Sequence, residues 1–228
     1  GINTFEFDEN VNQKSIDILE KSNIILDINT FLKNNFNISN KIFIKDSYSK
    51  YKNEINIPFA ANFRCNTITE DLIIVLKEAG LVFAAVGVEC GDEQIANKLL
   101  KRGNLNNKTI IKAFDIFHKY NIKSMSQNLM GLPVKNPLET DYKTIKLNIL
   151  CKPTYAHFAI FLPIPKTDIW KYSIEKGYLT ENSFVSSAIK MPSSFTKTVL
   201  KFDKFKINNN INNLHKFASI TVKFPFLF

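Results

Sequence analysis

The sequence predicts an α/β protein in which parallel strands are joined by helices. Short apolar runs of strand length alternate along the chain with segments whose apolar residues recur at helical spacing. Most connections between successive runs are long enough for a helix, which favours crossovers over hairpins. With 45% hydrophobic and 22% charged residues, the 228-residue chain is also typical of a globular protein. Alternation of this kind requires right-handed crossovers between parallel strands.

The predicted strands are short and apolar, and the first two are unusually close together. Residues 47–54, which separate them, are too few for an ordinary crossover, so either a helix is missing there or the first strand is wrongly assigned. The predicted strands lie near Ile42–Ile44, Ile55–Phe59, Phe83–Val88, Lys123–Leu129 and His157–Leu162.

The helices are predicted from their apolar spacing and from their end signals. In residues 67–80, Thr69 is a plausible N-cap and Gly80 stands just past the end. Residues 92–103 begin with acidic residues and end with basic ones before a glycine, as the helix dipole favours. Further helices are predicted over residues 22–35, 106–121, 138–152 and 168–179.

The periodic pattern fades from about Phe184 onward. We therefore predict an α/β domain over residues 1–183 and a trailing segment over residues 184–228. The sequence suggests no packing partner for the apolar end of this segment, residues 220–228.

The net charge and the length of the apolar runs limit the classes of partner that the chain is expected to have. A formal charge of +9 predicts attraction to anions, but the lysines are scattered without a dense basic block, which argues against a nucleic-acid partner. No apolar run approaches the roughly 18 to 20 residues that a membrane span needs. No basic leader followed by an apolar core opens the chain, so we expect a cytoplasmic location.

The cysteines are expected to be reduced, buried thiols. Cys65, Cys90 and Cys151 are odd in number and far apart in sequence. This spacing argues against both a disulfide framework and a zinc site, and we predict no metal ligands in this chain.

A carboxylate at the tip of one predicted strand suggests a ligand site. The apolar run Leu81–Val88 ends abruptly on Glu89. In parallel α/β folds, ligands bind where the carboxyl ends of the strands meet the loops. Glu89 is therefore either a site residue or a solvated loop carboxylate.

Five segments in one order carry a resemblance to a known family. Taken together, with helix-sized gaps between them, they resemble the radical S-adenosylmethionine (SAM) superfamily, and most of all the branch that often carries an N-terminal cobalamin-binding domain. The segments are Ile55–Arg64, Leu76–Arg102, Asn128–Pro133, Lys152–Thr167 and Glu175–Leu179.

The resemblance implies a partial (β/α)6 barrel that is incomplete at its N-terminus. In this superfamily, SAM lies across the carboxyl ends of the strands beside a [4Fe-4S] cluster, and an electron from the cluster cleaves SAM to a radical that abstracts hydrogen from a substrate. Cobalamin would be a further cofactor, held by a domain upstream of this chain. The substrate, small or macromolecular, stays open, as do the catalytic residues.

The resemblance also implies which residues contact SAM. Glu89 is the first of them, at the end of the strand Phe83–Val88, which corresponds to the fourth strand of the family's barrel. The full set of predicted cofactor-binding residues is Asn62, Arg64, Glu89, Asn128, Gly131, Phe161 and Pro163. A competing interpretation is that Asn128 and Gly131 only shape a turn and that the segment Phe161–Pro165 only packs.

The chain departs from the family at its cofactor side. The three-cysteine loop, C-x-x-x-C-x-x-C, is absent from this sequence. Family members often continue with Ile-Asn after the third cysteine, and this chain opens Gly1-Ile2-Asn3. We therefore expect that it is a fragment and that the first strand and the cluster loop lie upstream, so that only the intact parent holds the cluster.

Three functional interpretations follow. The chain is the core of a radical SAM enzyme truncated at its N-terminus, or a non-catalytic barrel that serves as a binding or interaction module. The third interpretation is an unrelated α/β protein whose basic surface binds nucleic acid.

Overall fold

The computed structural model describes residues 50–180, 197–202 and 206–227. By its contacts the chain divides after Ile44, and every described residue belongs to the second unit, Lys45–Phe228. The helix predicted over residues 22–35 and the strand predicted at Ile42–Ile44 lie outside the described residues.

Four parallel strands form one sheet, in chain order. They are β1 (Phe59–Arg64), β2 (Leu81–Glu89), β3 (Lys123–Met130) and β4 (Tyr155–Ile160). The predicted α/β class with a parallel sheet is thereby confirmed.

The start of β1 corrects one predicted strand. The strand placed at Ile55–Phe59 begins only at Phe59, because residues 50–54 are helical and the Ile55 N–H bonds back to the Tyr51 carbonyl at 2.8 Å. Pro58 then offers no N–H for a ladder, and Asn56 has a left-handed backbone with φ of 50°. These residues turn the chain into the sheet instead of extending it.

Besides the helical residues 50–54, six helices accompany the strands in the described ranges. Their ends agree with the predicted signals where the caps are local: the Thr69 hydroxyl accepts from the Leu72 N–H, and Gly80 follows the first helix with φ of 113°. The helices are α1 (Glu70–Ala79), α2 (Glu93–Lys98), α3 (Asn107–Lys119), α4 (Pro137–Cys151), α5 (Asp168–Glu175) and α6 (Ile207–Lys223). Short 3-10 helices span Cys65–Thr67 and Pro225–Leu227.

The two faces of the sheet differ because side chains alternate along each strand. One face is buried under helices; there Phe63 packs on Phe117 of α3 with ring centroids 5.8 Å apart, and Met130 packs with Ile145 of α4. The opposite face, which we call the open face, carries half-buried or exposed residues. They are Ala60, Asn62, Arg64, Phe83, Gly87, Met125, Gln127, Leu129, Tyr155 and His157.

A buried polar cluster joins β3 to α4 beneath the helices. Asn148 of α4 donates to the Asn128 side-chain oxygen at 2.8 Å and accepts from the Ser126 hydroxyl. The Asn128 amide also donates to the His157 carbonyl at 2.9 Å. All three side chains are at most 2% exposed, and their mutual bonds offset the cost of burying them.

The C-terminal helix α6 covers the outer edge of the sheet. His215 bonds the Phe158 carbonyl at 2.9 Å and the Ser219 hydroxyl donates to the Ala156 carbonyl at 2.7 Å. Ala218 and Val222 pack with Met130, Ile145 and Phe158. Val222 belongs to the segment for which the sequence suggested no packing partner, and the structure supplies one. No helix in the described ranges combines the length and the apolar character that crossing a membrane requires.

We expect Gly91→Ala to destabilise the fold. Gly91 is packed against α4, where its N–H donates to Thr144 at 2.9 Å, and an added methyl group would overlap the Lys143 carbonyl oxygen. Because a backbone atom cannot yield as a side chain can, we expect a loss of about 3 kcal/mol or more in the free energy of unfolding.

Gly103→Ala is the matched control. Its added methyl group would meet no atom of the described residues within 4 Å, so the substitution only places a side chain at φ of 70°. Urea denaturation should show a loss of about 1 to 2 kcal/mol for this control. Equal losses in the two variants would contradict the packing described for Gly91.

Candidate functional site

Glu89 stands at an irregular point of the β2 backbone, directly after a β-bulge. Gly87 pairs with Gln127 but Glu89 pairs with Asn128, so Val88 is an extra residue and forms a β-bulge. Glu89 itself has a left-handed φ of 67°. A non-glycine residue held in this conformation costs about 1 to 3 kcal/mol, and such strain concentrates at functional sites.

The Glu89 carboxylate is only partly solvated and lies beside one cation. Its side chain is 26% exposed, and Oε1 stands 3.8 Å from Nη1 of Arg102. Burial raises the pKa of Glu89, and the Arg102 charge opposes that shift. Among the described residues no group donates a hydrogen bond to this carboxylate, so its oxygens are free to accept from a ligand.

Arg102 is itself incompletely bonded. Nη2 donates to the Gly87 carbonyl at 2.6 Å, while Nε has no partner in the described part of the chain. The prediction from sequence treated this arginine only as part of the basic end of a helix. The sequence signal that was available is the position of Arg102 immediately before Gly103. In the structure this position lies in the loop that returns over the end of β2.

Arg64 and Asn62 reach the same open face from β1. Arg64 pairs with Gly87 in the ladder and Asn62 with Ala85, and both side chains are exposed. A guanidinium, an amide and a carboxylate therefore share the open face at the carboxyl ends of two neighbouring strands. Their contact with a cofactor stays a prediction.

Asn128, which was predicted to bind the cofactor together with Arg64 and Glu89, lies on the other face of the sheet. The bulge at Val88 makes Glu89 and Asn128 ladder partners. Glu89 Oε1 lies on the open face, 3.1 Å from where a Cβ on Gly87 would stand, whereas Asn128 bonds to α4 on the other side. Asn128 is 2% exposed and bonded to Asn148 of α4. The residue that β3 presents to the open face near this level is Gln127.

Gly131, Phe161 and Pro163 are engaged in packing. Gly131 has φ of 69°, and an added methyl group would meet Cγ2 of Ile211 at 3.1 Å, so the close approach that this glycine permits is to α6. Phe161 is 6% exposed within an apolar cluster, and Pro163 is buried. The burial of Phe161 and Pro163 agrees with the interpretation that their segment packs, and the φ of Gly131 agrees with the interpretation that it shapes a turn. The contact of these three residues with SAM stays a prediction.

A buried carboxylate holds the Gly131 turn from behind. Asp141 of α4 accepts the Gly131 N–H at 2.9 and 3.2 Å through its two oxygens and has no exposed surface. Burial raises the pKa of Asp141 to about 7, and the hydrogen bond from Gly131 only partly opposes that shift.

The cysteines do not fit an iron–sulfur cluster. Each is 1% exposed, and burial raises the thiol pKa to about 11 for Cys65 and Cys90 and about 12 for Cys151. A cluster needs several thiolates in one compact site, whereas buried apolar surroundings keep thiols protonated. Within the described ranges no group of three or more His, Cys, Asp or Glu residues is placed to hold a metal ion.

Comparison with known proteins shows which sequences and structures this chain resembles. No family model matches the chain. An uncharacterized methyltransferase of Pyrococcus horikoshii is 26% identical over 149 residues, which are 65% of this chain and 32% of the relative. The chain thus spans about a third of that relative's length.

Two solved structures resemble the chain. One is the radical SAM methyltransferase TsrM of Kitasatospora setae with cobalamin and a [4Fe-4S] cluster bound, with a TM-score of 0.50 and 16% identity over 61% of this chain and 26% of TsrM. This chain has the fold of the radical SAM barrels. Coproporphyrinogen III oxidase (HemN) of Escherichia coli, a radical SAM enzyme, gives a TM-score of 0.47 at 16% identity over 61% of this chain and 38% of HemN. The resemblance predicted from the sequence is confirmed at the level of the fold.

We expect this radical SAM-like chain to hold no cluster after anaerobic reconstitution with iron and sulfide. Its three thiols are buried and protonated, so they should also alkylate slowly in the native state and rapidly in denaturant. Iron and sulfide analysis and the thiolate-to-iron absorbance would check the first point. A stoichiometric cluster that disappears when Cys65, Cys90 or Cys151 is replaced by alanine would reverse this assignment.

Asp141 should make stability depend on pH. Its folded-state pKa of about 7 lies above the ordinary value, so the folded state binds the proton more tightly. The contribution is fully present below about pH 4 and is lost as the pH rises to about 7. Relative to Asp141→Asn, whose amide oxygen still accepts from Gly131, the wild-type free energy of unfolding should fall over that range.

Urea denaturation between about pH 4 and pH 8 measures this difference. Glu78→Gln, which removes a carboxylate at an exposed position on α1, is the control. A difference between wild type and Asp141→Asn that stays constant or rises with pH would show that Asp141 is ionised in the folded state throughout.

Proposed function

We propose that this chain is the barrel core of a radical SAM enzyme and that its open face binds SAM at the carboxyl ends of β1 and β2. The observation that carries the proposal is Glu89, a strained, half-buried carboxylate at the tip of β2 to which no described residue donates a hydrogen bond. The likeness of the fold to TsrM supports it. Its sequence relationship to an uncharacterized methyltransferase also supports it.

The charges on the open face suit the amino-acid half of SAM. That half carries an ammonium and a carboxylate. Glu89 would accept from the ammonium or from the ribose hydroxyls, and the exposed guanidinium of Arg64 would donate to the carboxylate. The nearby Arg102 favours the ionised form of Glu89, and a bound cation would favour it further. Asn62 offers an amide at the next position along the same face.

Transfer of a methyl group is the reaction that we propose for the whole protein, with its substrate left open. The supporting observations are that the Pyrococcus relative is named a methyltransferase and that TsrM is a methyltransferase with cobalamin bound. By the same likeness, an upstream domain would hold cobalamin. The [4Fe-4S] cluster, which supplies the electron for SAM cleavage when bound, would need ligands other than Cys65, Cys90 and Cys151.

A non-catalytic barrel is the second candidate. The buried cysteines favour it, as does the engagement of Asn128 and Phe161 in packing. Such a module would retain a ligand-binding open face without the reaction. Binding of SAM to this chain is therefore common to both candidates, and 5'-deoxyadenosine production by a form that carries the cluster would distinguish them.

Glu89→Gln should weaken SAM binding about 10- to 150-fold. The substitution keeps the shape of the side chain but removes a charge-assisted contact of roughly 1.5 to 3 kcal/mol. Titration calorimetry of the full chain measures the affinity, and circular dichroism verifies folding. Glu78→Gln removes the same charge from α1 and should bind like the wild type. Equal affinities of Glu89→Gln and wild type would remove Glu89 from the site, and a wild-type chain that does not bind SAM would overturn the proposal.

A further inference from the structure

A groove lies between β4 and α6, away from Glu89. We call it the α6 groove; its volume is about 910 Å³. The residues that matter to its chemistry are Tyr155, His157, Lys197, Asn212, His215 and Lys216. It adjoins β4, whereas Glu89 ends β2, so β3 separates the strand of the α6 groove from the strand that carries Glu89.

The polar lining of the α6 groove consists mainly of hydrogen-bond donors. Lys197 and Lys216 are exposed, neither forms an ion pair within the described ranges, and none of the described lining residues is acidic. The side-chain oxygen of Asn212 already accepts from the Thr198 N–H at 3.1 Å, which leaves its amide hydrogens available to donate. A lining of cations and amide donors without a carboxylate is complementary to an anion.

His215 adds order to this lining. Its Nε2 lies 2.9 Å from the Phe158 carbonyl, and since a carbonyl only accepts, that nitrogen carries a hydrogen. The bond fixes α6 against β4 and therefore fixes the position of Lys216, the next residue along the helix. The anion-complementary lining is thus held by the fold on the α6 side.

An aromatic ring stands beside these donors. Tyr155 is 56% exposed, and its ring contacts Phe83 at a centroid distance of 6.2 Å. A tyrosine ring that is supported by a neighbour and still largely exposed offers a face on which a planar group stacks. Stacking of a nucleobase on an aromatic side chain contributes about 1 to 3 kcal/mol.

We propose that the α6 groove binds a nucleoside phosphate, with the phosphates on Lys197 and Lys216 and the base on Tyr155. The volume of the groove is within the range of roughly 300 to 1,000 Å³ that is typical of small-molecule sites. Two lysines suit one phosphate group better than a polymer, because binding a nucleic acid requires a row of cations along the backbone. The ligand is therefore a small nucleotide.

Binding of ADP to the full chain tests the proposal. We expect Lys216→Gln and Lys197→Gln each to weaken ADP binding at least tenfold in calorimetry at low ionic strength, because each removes a charge-assisted bond. Lys223→Gln is the matched control: it makes the same charge change on the same helix, outside the groove lining. A loss as large in Lys223→Gln as in Lys216→Gln would show that only the overall charge matters and would overturn the site.

Three further measurements sharpen the result. Tyr155→Leu should weaken ADP binding but leave inorganic pyrophosphate binding unchanged, since only the base stacks. The lysine variants should bind SAM like the wild type, and Glu89→Gln should bind ADP like the wild type. A failure of this proposal can therefore be distinguished from a failure of the proposed SAM site. No ADP binding by the wild type would overturn the proposal, as would tighter binding of single-stranded DNA that is weakened equally by Lys216→Gln and Lys223→Gln.

Discussion

The side-chain amide of Asn148 determines which residues of the sheet are buried under the helices and which face outward. It donates to Asn128 and to the Thr144 carbonyl, each at 2.8 Å, and its oxygen accepts from Ser126. A slip of β3 by one residue would move Met125 and Gln127 under α4 and leave these buried polar atoms without partners. Because that cost is large, the buried amide fixes the register of β3, and through the ladder it fixes which residues of the neighbouring strands face outward.

The bulge at Val88 is the one place where that alternation shifts between β2 and β3. It lets a buried amide, Asn128, and a half-buried carboxylate, Glu89, stand side by side in the ladder while they serve opposite faces. The hydrogen bonds of Asn128 make the buried face rigid, and Glu89 places a charge on the open face. Arg102, anchored on the Gly87 carbonyl, brings a compensating cation to the open side. Local strain, burial and charge are therefore concentrated at the tip of one strand.

The sequence could predict the parts of this fold that depend on local signals. The parallel sheet follows from apolar runs separated by helix-sized connections, and the ends of α1 follow from Thr69 and Gly80. The face to which Asn128 points depends on a bulge in the neighbouring strand, which is a relation between strands and has no local signal. The contacts of α6 did have a local signal, because Ile211, Leu214, Ala218 and Val222 recur at helical spacing among the asparagines, and it was missed in the prediction from sequence. Glu89 was identifiable because an abrupt charge after an apolar run is itself a local signal.

The contact of α6 with β4 also bears on how the molecule behaves at high concentration. An uncovered edge strand presents a row of backbone groups that a strand from another molecule can join, which is a route to aggregation. His215 and Ser219 occupy the Phe158 and Ala156 carbonyls with side chains, so the edge is bonded without offering a new strand as a further template. The C-terminal helix thus ends the sheet on this side and protects solubility, a role that is independent of any ligand the protein binds.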